Sequence, residues 1–321
     1  MKVCVTGASG FIGSAVIDSL LSCGIKVLPL VRNKLALPDN IRPYASEMDL
    51  DDLAAFDAQA LDGCDCLIHT AAHVHITKHE KKKRLDVYRS INRDATLKLA
   101  SLAASSGVKR FIFLSSIGVN GSCSTAPFCE TDKASPHDDY SLSKYEAEIG
   151  LFKLAHATEM DVVIIRAPLV YGNGASGTFK RLFDWLFKGY PIPFKKTFNL
   201  RSFIALDNLV SFILLCADNN RSPCAANQIF LVSDCRDISI SNFILKVASA
   251  HHMKLRLFPL PILLSDFILR LLGRKDISYR LFRDLQVDAS KARNLLNWEP
   301  VVTMEQQLSK DAHSLKPANK K

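Results

Sequence analysis

Apolar residues fall in two rhythms along the first half of the chain. Short runs that are apolar at nearly every position occur at Lys2–Thr6 (KVCVT), Ile25–Val31, Cys66–Thr70, Arg110–Ser116 and Val162–Arg166. Between them, apolar residues recur every three or four positions, as at Val16, Ile17, Leu20 and Leu21 before Gly24. The same helical spacing marks Ile91–Ser105 and Ser141–His156. The first rhythm predicts strands buried on both faces, and the second predicts amphipathic helices. Strands alternating with helices in this way predict a parallel sheet covered on both sides, a Rossmann-type doubly wound α/β fold.

The rhythm changes after Pro168. Prolines stand at Pro191 and Pro193, a short strand is expected at Ser202–Leu206 leading into a helix from Asp207, and another strand at Ile229–Ser233. Residues 1–166 therefore read as a nucleotide-binding domain and 167–321 mainly as a smaller mixed α/β substrate lobe. Segments around 202–234 are expected to return to the main domain. The amphipathic stretch Phe258–Leu272 is interrupted by Asp266 and Arg270 and is too short to span a bilayer. It reads as a cover helix, and no transmembrane segment is expected.

Composition narrows the class. Of 321 residues, 48% are hydrophobic and 23% charged, the balance of an ordinary globular chain. The nine cysteines are odd in number, scattered and without a CxxC pair, which points to reduced thiols, a cytoplasmic location and no metal site. Met1-Lys2 runs straight into the first apolar run, with no cleavable leader before it. The formal charge of +9 raises the question of nucleic acid. Its densest runs, Lys78–Arg84 and the terminal Lys320-Lys321, lack interleaved aromatics and read as solvated surface, so no nucleic-acid partner is expected. An anionic small substrate suits the charge equally.

The turn Gly7-Ala8-Ser9-Gly10-Phe11-Ile12-Gly13 joins the first strand to the first helix. Glycines at this spacing permit a tight turn and close approach of a pyrophosphate to a helix N-terminus. The second strand ends Leu30-Val31-Arg32-Asn33, without the carboxylate that accepts from a ribose 2′-hydroxyl. Arg32 could instead pair with a 2′-phosphate, so NADP(H) is favoured over NAD(H).

Tyr140 and Lys144 lie four residues apart in YSLSK, on one face of a helix that Asp138 and Asp139 could cap. A nearby lysine cation, a positively charged nicotinamide and the helix N-terminus are expected to lower the tyrosine pKa, fitting it to exchange a proton with an alcohol or ketone. The run Arg110–Ser116 delivers Ser116 to the carboxyl edge of the sheet, where ligands of such sheets bind.

GASGFIG, DCLIHTAA (Asp65–Ala72), FLSSIGVNG (Phe113–Gly121), YSLSK and RAPLVYGNG (Arg166–Gly174) occur in one order. Together they resemble the extended short-chain dehydrogenase/reductases, and within them the NAD-dependent epimerase/dehydratase group that works on nucleotide-sugars. The likeness extends to the late segment Val287–Lys291 and Leu296–Pro300. It implies Ser116, Tyr140 and Lys144 as catalytic residues. It implies Gly7, Gly10, Phe11, Ile12, Gly13, Arg32, Asp49, Leu50, Ala71, Ala72, Asn92 and Ala167, with Tyr140 and Lys144, along the cofactor. For the substrate it implies Ser116, Thr178, Arg201, Arg280 and Arg283, the arginines towards a UDP-sugar diphosphate. A homodimer through helices of the central domain is a further family expectation.

Two departures shape the expected reaction. Where 4,6-dehydratases carry Asp-Glu after the serine, this chain has Ile117-Gly118, neither of which moves a proton. Val119-Asn120-Gly121 stands where epimerases tend to read Val-Tyr-Gly. The resemblance therefore leans to reduction of a UDP-4-keto-6-deoxy-N-acetylhexosamine, in bacterial surface polysaccharide (O-antigen) synthesis. The alternative is a 4-epimerase of UDP-glucose or UDP-N-acetylglucosamine. A non-catalytic dinucleotide-binding sensor would be expected to lack the Tyr–Lys pair, and both residues are present.

Overall fold

The computed structural model describes residues 1–74, 84–175, 183–189, 197–253, 255, 258, 266, 270–271 and 281–314. Seven parallel strands form the main sheet: β1 (Lys2–Thr6), β2 (Lys26–Val31), β3 (Ser46–Glu47), β4 (Cys66–His69), β5 (Arg110–Ser116), β6 (Asp161–Ala167) and β9 (Gln228–Leu231). Their spatial order is β3-β2-β1-β4-β5-β6-β9. The chain winds outward from β1 through β2 to β3, then returns to lay β4 on the other side of β1. That reversal opens a crevice beyond the carboxyl ends of β1 and β4.

Helix α1 (Phe11–Ser22) follows β1. Helix α2 (Arg84–Arg89), a π-helical turn at Ser90–Ala95 and α3 (Thr96–Ser105) make one run before β5. Helix α4 (Asp139–Ala157) crosses from β5 to β6. Beyond β6, β7 (Leu169–Tyr171) pairs with β8 (Phe203–Ala205) in a separate two-stranded sheet, and α5 (Leu206–Ala217) returns the chain towards β9. Helices α6 (Ile240–Ala250), α7 (Ser290–Leu296) and α8 (Met304–Ser314) complete the described elements.

Period-two alternation builds two cores from one sheet. Val3, Val5, Ile68, Ile112 and Ile165 face α1 and α5. Cys4, Leu67, Phe111, Phe113 and Ile164 face α3 and α4 from the other side. A third cluster, centred on Tyr171, Phe203, Phe243 and Leu308, lies under the β7–β8 pair and α6 and α8. The segment Phe258–Leu272 falls almost wholly outside the described residues, as do Pro191 and Pro193. Among the described residues no helix is long and apolar enough to cross a membrane.

Candidate active site

The crevice at the switch point is a cleft of about 410 Å³, lined from the glycine turn across to Ala71, Ala72, His73 and Ile91. Gly7 has φ of +65°, a left-handed conformation, and a Cβ there would lie 2.9 Å from both the Ala71 nitrogen and Thr70 Oγ1. A Cβ on Gly13 would collide with the Gly7 carbonyl. Helix α1 starts at Gly10 with no side-chain cap and no acidic residue in its first turn. Its N–H groups and positive dipole end thus face the cleft and suit an anion. The backbone cradle and its dimensions fit a dinucleotide.

Thr6, at the end of β1, ties this floor together. Its hydroxyl accepts from the Ala71 N–H (3.3 Å), and its carbonyl accepts from Thr70 Oγ1 (2.7 Å). Behind it, fully buried His69 is hydrogen-bonded through Nδ1 to Thr6 Oγ1 (2.8 Å) and through Nε2 to Thr96 Oγ1 (3.0 Å). Burial, reinforced by Lys144, pushes His69 down to about 3, so the ring is neutral at any ordinary pH.

Ser116 ends β5 opposite Ala167 of β6. Its Oγ accepts from the Gly118 N–H (3.1 Å), which leaves the O–H to donate elsewhere. Asp138 caps α4 by accepting from the Ser141 N–H (2.8 Å), which sets Tyr140 in the first turn and Lys144 one turn on. The cap reading of Asp138 matches the structure, while Asp139 is the first helical residue. A Cβ at Gly118 would run into Ser141 Oγ and lie 3.3 Å from Ser116 Oγ. Gly118 therefore allows the N-terminus of α4 to close directly over the strand end. Lys144 is 1% exposed, its Nζ 4.1 Å above the Phe113 ring.

The model of the NAD dependent epimerase/dehydratase family matches residues 3–230. The chain belongs to this family. A UDP-glucose 4-epimerase of Vibrio cholerae is 37% identical over 99% of this chain and 96% of its own length. A 3 beta-hydroxysteroid dehydrogenase/Delta 5-->4-isomerase of Mycobacterium tuberculosis is 26% identical over 96% of the chain and 88% of its own. The solved UDP-glucuronic acid 4-epimerase of Bacillus cereus, in complex with NAD, shares the fold at a TM-score of 0.77. It is 20% identical and the match covers 98% of this chain and 97% of that one.

Within this epimerase/dehydratase frame, Gly7, Gly10, Phe11, Ile12 and Gly13 line the cleft together with Arg32, Asp49, Leu50, Ala71 and Ala72. Asn92, Tyr140, Lys144 and Ala167 do not line that stretch; Asn92 is 1% exposed and acts from behind it. Its Oδ1 accepts from the His73 N–H (2.8 Å), and its Nδ2 donates to the His73 carbonyl (3.0 Å) and Ser143 Oγ (3.1 Å). Arg201 is bridged to Ile238 and Leu285, and its Nη1 donates to the Arg283 carbonyl (3.0 Å). Neither lines the cleft, and Thr178 and Arg280 fall outside the described residues.

The protein's own groups work against one electrostatic expectation. Burial pushes Tyr140 upward, and Asp138 and Tyr88 push the same way. Lys144 does not counter this, because burial brings it down to about 7 even with Glu148 supporting its charge. The sequence reading also passed over the buried group beneath the lysine. Glu148 is paired with Arg166 (2.6 Å) and accepts from Ser115 Oγ, while Arg166 Nη1 donates to Asn120 Oδ1 (2.9 Å). The signal available was Glu148 itself, one turn beyond Lys144 on the same helix face.

Proposed function

We propose that the protein is a nucleotide-sugar 4-epimerase, working on a UDP-hexose with NAD(H). The observation that carries this reading is the near full-length likeness to the Vibrio cholerae UDP-glucose 4-epimerase, joined to a Ser–Tyr–Lys set at the sheet edge. It replaces the keto-sugar reductase expected from the sequence wording. The Asn120 departure behind that expectation has a packing account, since Asn120 accepts from Arg166 and donates to the Cys129 carbonyl (3.2 Å). Arg32 favoured a 2′-phosphate, but Asp49 and Asp51 line the same cleft and repel one.

In this reading the glycine turn and the α1 N-terminus hold the pyrophosphate, Lys144 holds the nicotinamide ribose, and Arg201 meets the sugar diphosphate. When bound, NAD supplies the hydride acceptor and donor. Tyr140 takes the proton from the C4 hydroxyl and returns one to the C4 oxygen after the ring turns over. Ser116 donates a hydrogen bond to that same oxygen, using the O–H that Gly118 leaves available. Dehydration has no agent after Ser116, because Ile117 and Gly118 follow it and neither can move a proton.

The test is incubation with UDP-glucose without added reductant. Sustained interconversion with UDP-galactose, with no net oxidation or reduction, is expected. No interconversion, with NADPH consumed in step with a UDP-4-keto-6-deoxy-N-acetylhexosamine, would return the reductase reading.

A further inference from the structure

A row of three rings runs from the cofactor cleft to Tyr140, and the proposed chemistry uses only its last member. His73 lines the cleft after β4, and the Tyr88 ring of α2 meets it edge-on, with centroids 6.0 Å apart at 65°. Tyr88 meets Tyr140 in the same way, at 5.9 Å and 69°. Both spacings fall in the range that edge-to-face pairs prefer. Tyr88 is 6% exposed, and its hydroxyl donates to the Val74 carbonyl (3.2 Å). The helix that carries it is pinned to α4 on either side of this ring. Arg84 pairs with Asp139 (3.0 Å), next to Tyr140, and Arg89 Nε donates to Glu146 Oε2 (2.8 Å), two residues beyond Lys144. In the π-helical turn that follows α2, Asn92 grips both backbone groups of His73.

We infer that Tyr88 is a positioning residue for Tyr140: its ring is the buttress that fixes where the tyrosine hydroxyl stands, and it ties that place to the cofactor wall at His73. The inference rests on the acid–base role proposed for Tyr140. A tyrosine hydroxyl stands at the far end of its ring, so a small swing about χ1 within one rotamer well carries it through a wide arc. Tyr140 is partly exposed, and among the described residues the ring recorded against it is that of Tyr88. The buttress is itself held at both ends, by the ion pairs of α2 with α4 and by the hydroxyl on Val74. A misplacement of about 1 Å at a reacting group can cost on the order of 10²-fold in rate. A contact too weak to matter for folding can therefore decide turnover.

The experiment compares kcat, KM, NAD affinity and thermal melting for wild type, Tyr88→Leu, Tyr88→Phe and Tyr140→Phe. Turnover is read on whichever of the two reactions named above the wild type performs, well below the melting temperature of every variant. Tyr88→Leu removes the flat edge and should lose roughly tenfold or more in kcat, with KM and NAD affinity near wild type. Tyr88→Phe gives the ring back without the bond to Val74, and should melt lower yet recover the kcat. A space-filling role alone would lower the melting temperature of Tyr88→Leu and leave its kcat at the wild-type value, which overturns the inference. So does a Tyr88→Phe variant whose kcat falls as far as that of Tyr88→Leu. If Tyr88→Leu fails to fold, Tyr88→Met, which refills the volume with a flexible chain, takes its place under the same criteria. An inactive Tyr140→Phe beside a fully active Tyr88→Leu ends the buttress alone. A Tyr140→Phe variant that keeps its turnover removes the acid–base reading, and the inference with it.

Discussion

At the scale of single residues, the site's chemistry is governed by desolvation more than by charge pairing. Tyr140 holds its proton tightly in the protein's own field, and Lys144, sandwiched over Phe113, gives up much of its charge near neutral pH. In the proposed reaction Tyr140 can take the C4 proton only as the phenolate, a form that its buried setting disfavours. Tyr140→Phe keeps the ring and its packing on Tyr88 while removing the transferable proton. Turnover should fall by about 10²–10⁴-fold, with dinucleotide affinity measured by titration nearly unchanged; a variant above a tenth of wild-type turnover would take Tyr140 out of the mechanism. The positions of Ser116, Tyr140 and Lys144 could be read from the chain because each follows from a local rule, a strand end or a helix spacing. His69 and Arg166 could not. Their partners, Thr6 for the one and Asn120 for the other, lie 63 and 46 residues away, and no local pattern signals such pairs.

At the scale of elements, the strongly periodic segments were the legible ones. β5 spans Arg110–Ser116 as the apolar run predicts, and α4 exceeds the expected Ser141–His156 by two residues at its start and one at its end. The two-residue β3 and three-residue β7 are too short to carry a pattern, and both exist through pairing with β2 and β8. The predicted helix Ile91–Ser105 proves to be interrupted, with a π-helical turn at Ser90–Ala95 ahead of α3. Such turns concentrate at functional sites, and this one turns Asn92 inward to grip both backbone groups of His73 and the Ser143 hydroxyl. Asn92→Ala would strip the half-buried N–H and carbonyl of His73 of this partner, a loss of at most about 1–3 kcal/mol for each group left unpaired. The loop at His73 would loosen relative to α4, and kcat should drop by roughly tenfold or more through lost alignment. Thermal melting and kcat, measured on the same preparation, check both effects. A variant with wild-type kcat would make the grip purely structural.

For the whole molecule, the doubly wound order that opens the cleft also buries ionisable groups between the sheet and its helices, and stability becomes linked to pH. His69 is the clearest case, fully buried on β4 between hydroxyls of β1 and α3. Its folded value is about 3 against an ordinary 6.5, so the folded ring stays neutral while the unfolded chain takes up a proton. A depressed folded pKa means that the full contribution is present above pH 6.5 and is lost as the pH falls towards 3. At pH 4.5 the loss amounts to about 3 kcal/mol, from two pH units at about 1.36 kcal/mol each. Asp234 and Asp311, both raised by burial, act in the opposite sense over the acid range, so the wild-type curve alone cannot isolate the histidine. His69→Gln can, because it removes this titration and leaves the carboxyls alone. Urea unfolding at pH 7 and at pH 4.5 should show wild type losing about 3 kcal/mol more than the variant between the two. Equal losses would mean that His69 is protonated in the folded protein, and the Thr6–His69–Thr96 link beneath the cleft floor would then have to carry a charge.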